Sequence, residues 1–329
     1  MDKRAILQDL FGATAIDVQS DAAVVDGTRY PIVDDVVILS SPDTRTPYVQ
    51  QRLHDARDAN RSAAFALDIQ ATFGREWEAY AQILPEHSLE HRRYFDLVDL
   101  DALGDARVCD LGCGSGRWAS FIAGRCREIV LVDFSDAIFV ARKNLANADN
   151  ALFFMGDLTD LPFRDDAFDL LYCLGVLHHL PTNCLDEVRR LSRLARRLLI
   201  FLYYALDNRP VHYRVLLAGV TVARKVLSRI EDDAVRAAIA RGGARFIYEP
   251  LVRLGEAMET FGLGHQVPLY DAYHGQSRAR IEQDVYDRFF TRIEQRVTRL
   301  EILDLLDTFA GVVVSEKIPY WHFLCTRPR

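Results

Sequence analysis

The 329-residue chain is short of several features that would narrow its class at once. It has no C-x-x-C pair and no histidine cluster at metal-ligand spacing. Its six cysteines, Cys109, Cys113, Cys126, Cys173, Cys184 and Cys325, stand singly, most of them inside apolar runs. This argues against a metal centre or a disulfide framework and suits reduced thiols in a cytoplasmic protein. Excess positive charge is missing too: 40 Lys and Arg against 47 Asp and Glu give a net charge of -7. A domain whose main partner is a nucleic-acid backbone normally carries a basic face, so nucleic acid is not the expected partner. No apolar run approaches bilayer-spanning length. The longest candidate, 215–223, is hemmed in by Arg214, Arg224 and Lys225, and no membrane partner is expected. The opening MDKRAILQDLF lacks the apolar core of a secretory signal. There are no internal repeats and no low-complexity tracts. What is present is ordinary and sufficient: half of the residues are apolar, enough for a sizeable core.

One stretch organises the rest. In ARVCDLGCGSGRW, residues 106–118, an apolar run reaches Asp110, breaks into Gly112, Cys113, Gly114, Ser115 and Gly116, and then resumes with helical spacing. A buried strand turning sharply into a helix is the reading. Glycines let backbone approach a ligand, and the amides that open the next helix would face it.

Before this stretch, residues 1–41 form a small unit, a short helix and then apolar runs joined at Asp26-Gly27, a hairpin-turn pair. Pro42, Asp43, Thr44 and Pro47 make a linker, and 42–100 read as helical. Trp77 and Tyr80, three apart on one helix face, either dock that helix on the core or lie over a cofactor. From 107 onward short apolar strands alternate with helices. Strands are expected at 108–111, 129–132, 152–155, 168–172 and 198–203, with helices at 117–123, 136–147 and 184–197. Two last strands, 312–318 and 321–326, should pair as a hairpin. The fold class is therefore α/β, a doubly wound, Rossmann-like sheet of seven strands with a C-terminal antiparallel hairpin. Residues 101–203 and 291–329 make its core, and 204–290 are an inserted helical region with an apolar stripe at Leu216, Val220, Ala223, Leu227 and Ile230. Thr298-x-x-Glu301 reads as a capping box.

Two ligands compete for the glycine loop. A dinucleotide wants G-x-G-x-x-G, whereas Gly112, Gly114 and Gly116 are spaced G-x-G-x-G. A carboxylate at Asp110 would repel a pyrophosphate but suits a cofactor with an amine and a sulfonium. The segments DLGCGSG at 110–116, LVDFS at 131–135, GDLTDLPF at 156–163 and FDLLYCLGVLHHLP at 168–181 together resemble the motifs of class I S-adenosylmethionine-dependent methyltransferases. The resemblance implies S-adenosylmethionine as cofactor. It implies that Asp110, Gly112, Cys113, Gly114 and Gly116 approach the methionine part, that Asp133 with Phe134 holds the ribose, and that Asp157 and Leu158 read the adenine edge. Cys173, Leu174 and Gly175 would line the methionine end. Tyr30 to Val36, YPIVDDV, loosely resembles the hairpin of small Trm112-type modules but carries none of their zinc cysteines, and no zinc is expected.

Methyl transfer needs an acceptor held in line and, where it carries one, a way to remove its proton. His178 and His179 follow the fourth strand, and at most one of two neighbouring helical residues can face an acceptor. Tyr203 and Tyr204 end the fifth strand. Within the insertion Tyr270, Tyr273 and His274 form an aromatic and polar cluster, and Arg288 and Arg292, four apart, could clamp an anion. The Arg189 to Arg197 series reads as the solvated face of an outer helix. The expectation is O- or N-methylation of a small molecule, in natural-product or glycan tailoring. The alternatives are a tRNA or protein methyltransferase and a cofactor-binding subunit without turnover.

Overall fold

The computed structural model describes residues 2–53, 82–84, 87–230 and 232–328. The expected aromatic pair Trp77 and Tyr80 falls outside the described residues. The centre is a sheet whose strands run, in chain order, β1 (Ile16–Val18), β2 (Ala22–Val25), β3 (Thr28–Val33), β4 (Val36–Ile38), β5 (Arg107–Leu111), β6 (Glu128–Asp133), β7 (Ala151–Met155), β8 (Phe168–Leu174), β9 (Ala195–Phe201), β10 (Gly311–Val314) and β11 (His322–Thr326). Their spatial order is β1-β2-β3-β4-β7-β6-β5-β8-β9-β11-β10. The last seven of that order are the doubly wound sheet expected from the sequence, parallel from β7 to β9, with β11 and β10 antiparallel at the edge.

The extra four strands belong to the N-terminal unit, and here the structure goes beyond the expectation of a separate small hairpin. Asp26 and Gly27, with φ of 44° and 85°, make the two-residue turn between β2 and β3. Asp34 and Asp35, both at positive φ, make a second such turn, from β3 to β4. Two positive φ values in sequence match the twist of the flanking strands. β4 then pairs in parallel with β7, Val36 opposite Phe153 and Ile38 opposite Met155. The sheet therefore has eleven strands where seven were expected.

β5, β6 and β7 are buried on both faces, which is why they read as continuous apolar runs. Between them and the ends of the strands sit the glycine loop and short helices, Ala119–Ile122 and Ala137–Asn144. The expected helix at 184–197 is shorter: it runs Cys184–Leu191, because β9 begins at Ala195. Leu191, Leu194 and Leu198 are spaced three and four apart and imitate a helix. Arg189 and Arg190 do lie on its outer face, paired with Asp186 and Glu187, whereas Arg196 and Arg197 are strand residues.

The insertion folds as a helical layer over the sheet's carboxyl ends, with its own core around Ala240, Tyr248, Val252, Tyr273, Val285 and Phe290. Its helices are Val211–Leu227, Asp233–Gly243, Glu249–Glu259 and Arg278–Phe290, joined by shorter turns. The capping box is present, Thr298 Oγ accepting from the Glu301 amide and Glu301 reaching back to the Thr298 amide. Its helix is short, Arg299–Leu303, followed by a 3-10 turn.

Candidate active site

The strand-to-helix turn after β5 is held by left-handed glycines. Gly112 and Gly116, at φ of 74° and 72°, also have no room for a side chain. A Cβ on Gly112 would come to 2.5 Å of Val176 Cγ2, and one on Gly116 to 2.6 Å of Leu145 Cδ1. The Gly112 and Cys113 amides both donate to the Val132 carbonyl, which locks the loop to the end of β6. Asp133 completes the lock: one oxygen accepts from the Gly114 amide at 2.8 Å, the other from the Ser135 amide and hydroxyl at 2.8 and 2.7 Å. A carboxylate offers about four acceptor positions, so these three bonds leave about one for a further donor such as a ribose hydroxyl. Burial raises the Asp133 pKa, and the bonds from Ser135 and Gly114 oppose it.

Asp110, at the end of β5, is 2 % exposed and its Oδ2 has no hydrogen-bond partner. Burial pushes its pKa up to about 8, with the Asp133 charge adding to the rise and Tyr172 opposing it. A buried carboxylate oxygen with no donor calls for one. A cofactor ammonium is such a donor, so Asp110 fits the group the sequence implied. Cys113 and Cys173 are buried with thiol pKa values raised by burial, fillers and not nucleophiles. Asp157, beyond β7, is exposed and takes both the Thr159 amide and hydroxyl on Oδ1, with Leu158 half-buried beside it. Phe134 is half-buried between Asp133 and Ser135.

From Leu174 and Gly175, at the end of β8, a cavity of about 1040 Å³ extends under the insertion. One side is apolar: Leu216, Val220, Ala223 and Leu227 of the expected stripe line it, opposite Ile239, Ile247 and Leu251. The other side is polar. Arg280 pairs with Glu90 at 2.9 Å and also with Asp284, tying the Arg278–Phe290 helix to His87–Tyr94. Tyr273 donates to Asp284 at 3.0 Å, and Tyr203 to Asp287 Oδ2 at 2.8 Å. Arg288 reaches the Tyr273 hydroxyl at 3.4 Å and also bonds Tyr248, and its Nε has no partner.

The structure sorts the expected acceptor residues. Tyr203, Tyr204, Tyr273 and Arg288 line the cavity. Tyr270 does not: it packs over Gly255, where a Cβ would meet its ring at 2.4 Å. His274 is exposed beside Glu256, and Arg292 lies past the end of its helix, exposed among Arg224, Lys225 and Arg229. The Arg288–Arg292 clamp is therefore not formed. Arg280, Asp284 and Asp287 were not singled out, although Arg280, Asp284 and Arg288 recur at four-residue spacing on one helix face. Neither His178 nor His179 lines the cavity. His178 is fully buried, stacked 3.9 Å from Tyr203, with both ring nitrogens unbonded and its pKa held well below the usual range by burial. His179 places Nδ1 2.8 Å from the Ile293 carbonyl and Nε2 3.9 Å from Asp287 Oδ1.

The span from β5 into β9, residues 108–197, matches the family model described as a methyltransferase domain. The chain carries a methyltransferase domain. S-adenosylmethionine is the cofactor of its class, and the loop, Asp110 and Asp133 fit it. The domain is similar to the demethylmenaquinone methyltransferase of Clavibacter sepedonicus, 35% identical over 97 residues, 29% of this chain and 40% of that one. It is similar to the ubiquinone biosynthesis O-methyltransferase of Alkalilimnicola ehrlichii, 25% identical over 195 residues, 58% of this chain and 75% of that one. Among solved structures, the YcgJ protein of Bacillus subtilis is 24% identical, with a TM-score of 0.35, covering 41% of this chain and 59% of that one. The chain spans 40% and 66% of the length of the first two curated relatives it matches. Among the described residues no His, Cys, Asp and Glu group forms a metal cluster, and no helix is long and apolar enough to cross a membrane.

Proposed function

We propose that this protein transfers a methyl group from S-adenosylmethionine to an oxygen or nitrogen of a small-molecule acceptor held in the cavity under the insertion. The observation that carries the proposal is the cavity's position: it begins at Leu174 and Gly175, where the methyltransferase domain turns out of β8. When bound, the cofactor supplies an electrophilic methyl group. Asp133 would hold the ribose, Asp157 and Leu158 the adenine, and Asp110 the ammonium. The protein then orients the acceptor and removes its proton.

The lining describes the acceptor. An apolar body suits the Leu216, Val220 and Leu251 walls, and a carboxylate or similar anion suits Arg288, a cavity guanidinium that meets the Tyr273 hydroxyl. Two relatives are named for methylating quinone precursors, and an aromatic acceptor with an apolar substituent agrees with these walls. Asp287 is the cavity carboxylate placed to take an acceptor proton, with His179 Nε2 behind it to receive or share that proton. Nδ1 of His179 faces a carbonyl, which fixes the tautomer with Nε2 as the basic nitrogen. His178 positions Tyr203 by stacking and is not a base.

Calorimetry with S-adenosylmethionine tests the cofactor. Binding that weakens at least tenfold in Asp133→Ala is expected, and absence of binding, or equal binding by the variant, rejects the proposal. With a panel of hydroxylated aromatic acids bearing alkyl chains, release of S-adenosylhomocysteine should require Asp287 and His179. His178→Phe should retain turnover.

A further inference from the structure

The Val211–Leu227 helix is folded the wrong way round for water. It buries Tyr213 and Arg224, the latter paired with Glu294 at 3.1 Å, and exposes Val211, Val215, Val222 and Val226 at 64, 68, 65 and 62%. At ~100° per residue those four valines form one outward stripe, while Leu216, Val220, Ala223 and Leu227 form a second stripe lining the cavity. A helix apolar on so many sides belongs in an apolar environment.

The exposure is concentrated here. Of 17 large exposed apolar side chains among the described residues, 11 lie between Val211 and Leu263. They mark where the cavity opens, because Val215, Leu216 and Ile247 both line it and are exposed. The charge is equally local. Residues 209–248 carry eight Lys and Arg against three Asp and Glu, in a chain where acids outnumber bases. The helix itself has no acidic residue, and Arg214 and Lys225 on it, with Arg229, Arg241 and Arg245 in the segment that follows, are exposed. Apolar side chains flanked by Lys and Arg are what an interfacial helix presents to an anionic bilayer.

We infer that this face docks on an anionic lipid surface, with the valine stripe entering the headgroup boundary and the cavity mouth turned toward the membrane. Among the described residues no helix spans: this one, of 17 residues, lies in the plane of the interface. The acceptor would then reach the cavity from the bilayer without crossing water, a step that rests on the proposed function. The docking itself does not.

Flotation of the full chain with vesicles tests it. Vesicles of mixed phosphatidylcholine and phosphatidylglycerol should carry the protein, phosphatidylcholine alone should carry far less, and added salt should release it. Val222→Asp with Val226→Asp, neither lining the cavity, should lower binding roughly tenfold or more, with thermal unfolding and S-adenosylmethionine affinity unchanged. The inference is overturned by a wild-type protein that does not float with the anionic vesicles, or by a variant that floats equally well. It is also overturned by a wild-type dimer in light scattering that the variant converts to monomer, which would make the face a contact between copies. Loss of cofactor binding in the wild type would reject the proposed function and leave the flotation result to stand alone.

Discussion

Gly112→Ala strains the turn in two separable ways. At φ of 74° an alanine enters the left-handed region, at a cost of about 1–2 kcal/mol. Its Cβ would also stand 2.5 Å from Val176 Cγ2 and 3.0 Å from Cγ1, an overpacking that costs about 1–3 kcal/mol once the neighbours shift. The expected total is about 2–5 kcal/mol. Val176→Ala removes the obstructing methyls and leaves the backbone term untouched. In that background Gly112→Ala should cost only about 1–2 kcal/mol, giving a coupling energy of about 1–3 kcal/mol. Urea unfolding of the four proteins measures the cycle. An equal cost in both backgrounds refutes the contact with Val176, and a cost within about 0.5 kcal/mol of zero in the wild type refutes the whole account of the loop. Calorimetry with S-adenosylmethionine on the same proteins should show weaker binding by Gly112→Ala, because the two amides tied to Val132 move with the turn.

Asp110, with its pKa at about 8, is largely protonated at neutral pH, so binding a cofactor ammonium there should release close to one proton. Calorimetry in buffers of different ionisation enthalpy reads this directly, and Asp110→Asn should abolish the release. Buried His87, His91 and His178 have pKa values lowered by burial, to about 3 and about 4 for the first two. Their unfolded forms bind protons first, so each removes roughly 1.4 kcal/mol of stability per pH unit below about 6.5. Asp110 acts in the opposite sense, since its folded form binds the proton first. Three losses against the two gains at Asp110 and Asp133 predict a net acid destabilisation, which His91→Leu should lessen in thermal unfolding between pH 6.5 and 5. Glu128→Gln should cost about 3–5 kcal/mol, because the buried Arg107 guanidinium, 2.5 Å from Glu128, would keep the half-exposed Asp9 as its one carboxylate among the described residues. Equal stability by urea unfolding would show that Asp9 suffices. Arg288→Met should weaken an anionic acceptor and leave cofactor affinity unchanged, and a matching fall in cofactor affinity would contradict the assignment.

The doubly wound sheet was legible because its strands are short, buried on both faces and separated by turn residues. The cofactor loop was legible because spacing and charge there have few solutions. Pairing of β4 with β7 was not, since the Asp26-Gly27 and Asp34-Asp35 turns determine only neighbouring strands. A parallel pairing of Val36 with Phe153 leaves no mark on local periodicity. The lining of the cavity was half legible. Tyr270 and His274 read like Tyr273, but on a four-residue helix they point elsewhere, and only the packing of Tyr270 on Gly255 reveals it. Arg288 was found and its relation to Arg280 and Asp284 was missed, though the interval of four was visible. The helix 211–227 was read by its cavity stripe alone, and its valine stripe carried the second message.

The place of β4 has one more consequence. The run Ala151–Met155, ALFFM, is apolar at every position, and were it the border of the sheet its bare amides and carbonyls would invite strands of other molecules. β4 occupies that border, and the meander beyond it ends in β1, three residues long with exposed Asp17 and Val18. A chain trimmed to begin at residue 101, an obvious choice for isolating the cofactor-binding half, would uncover a sticky seam. Such a fragment should form fibrils or precipitate where the longer chain stays dispersed. The first forty residues thus serve as the selvedge of the sheet, the finished border that keeps it from unravelling into its neighbours.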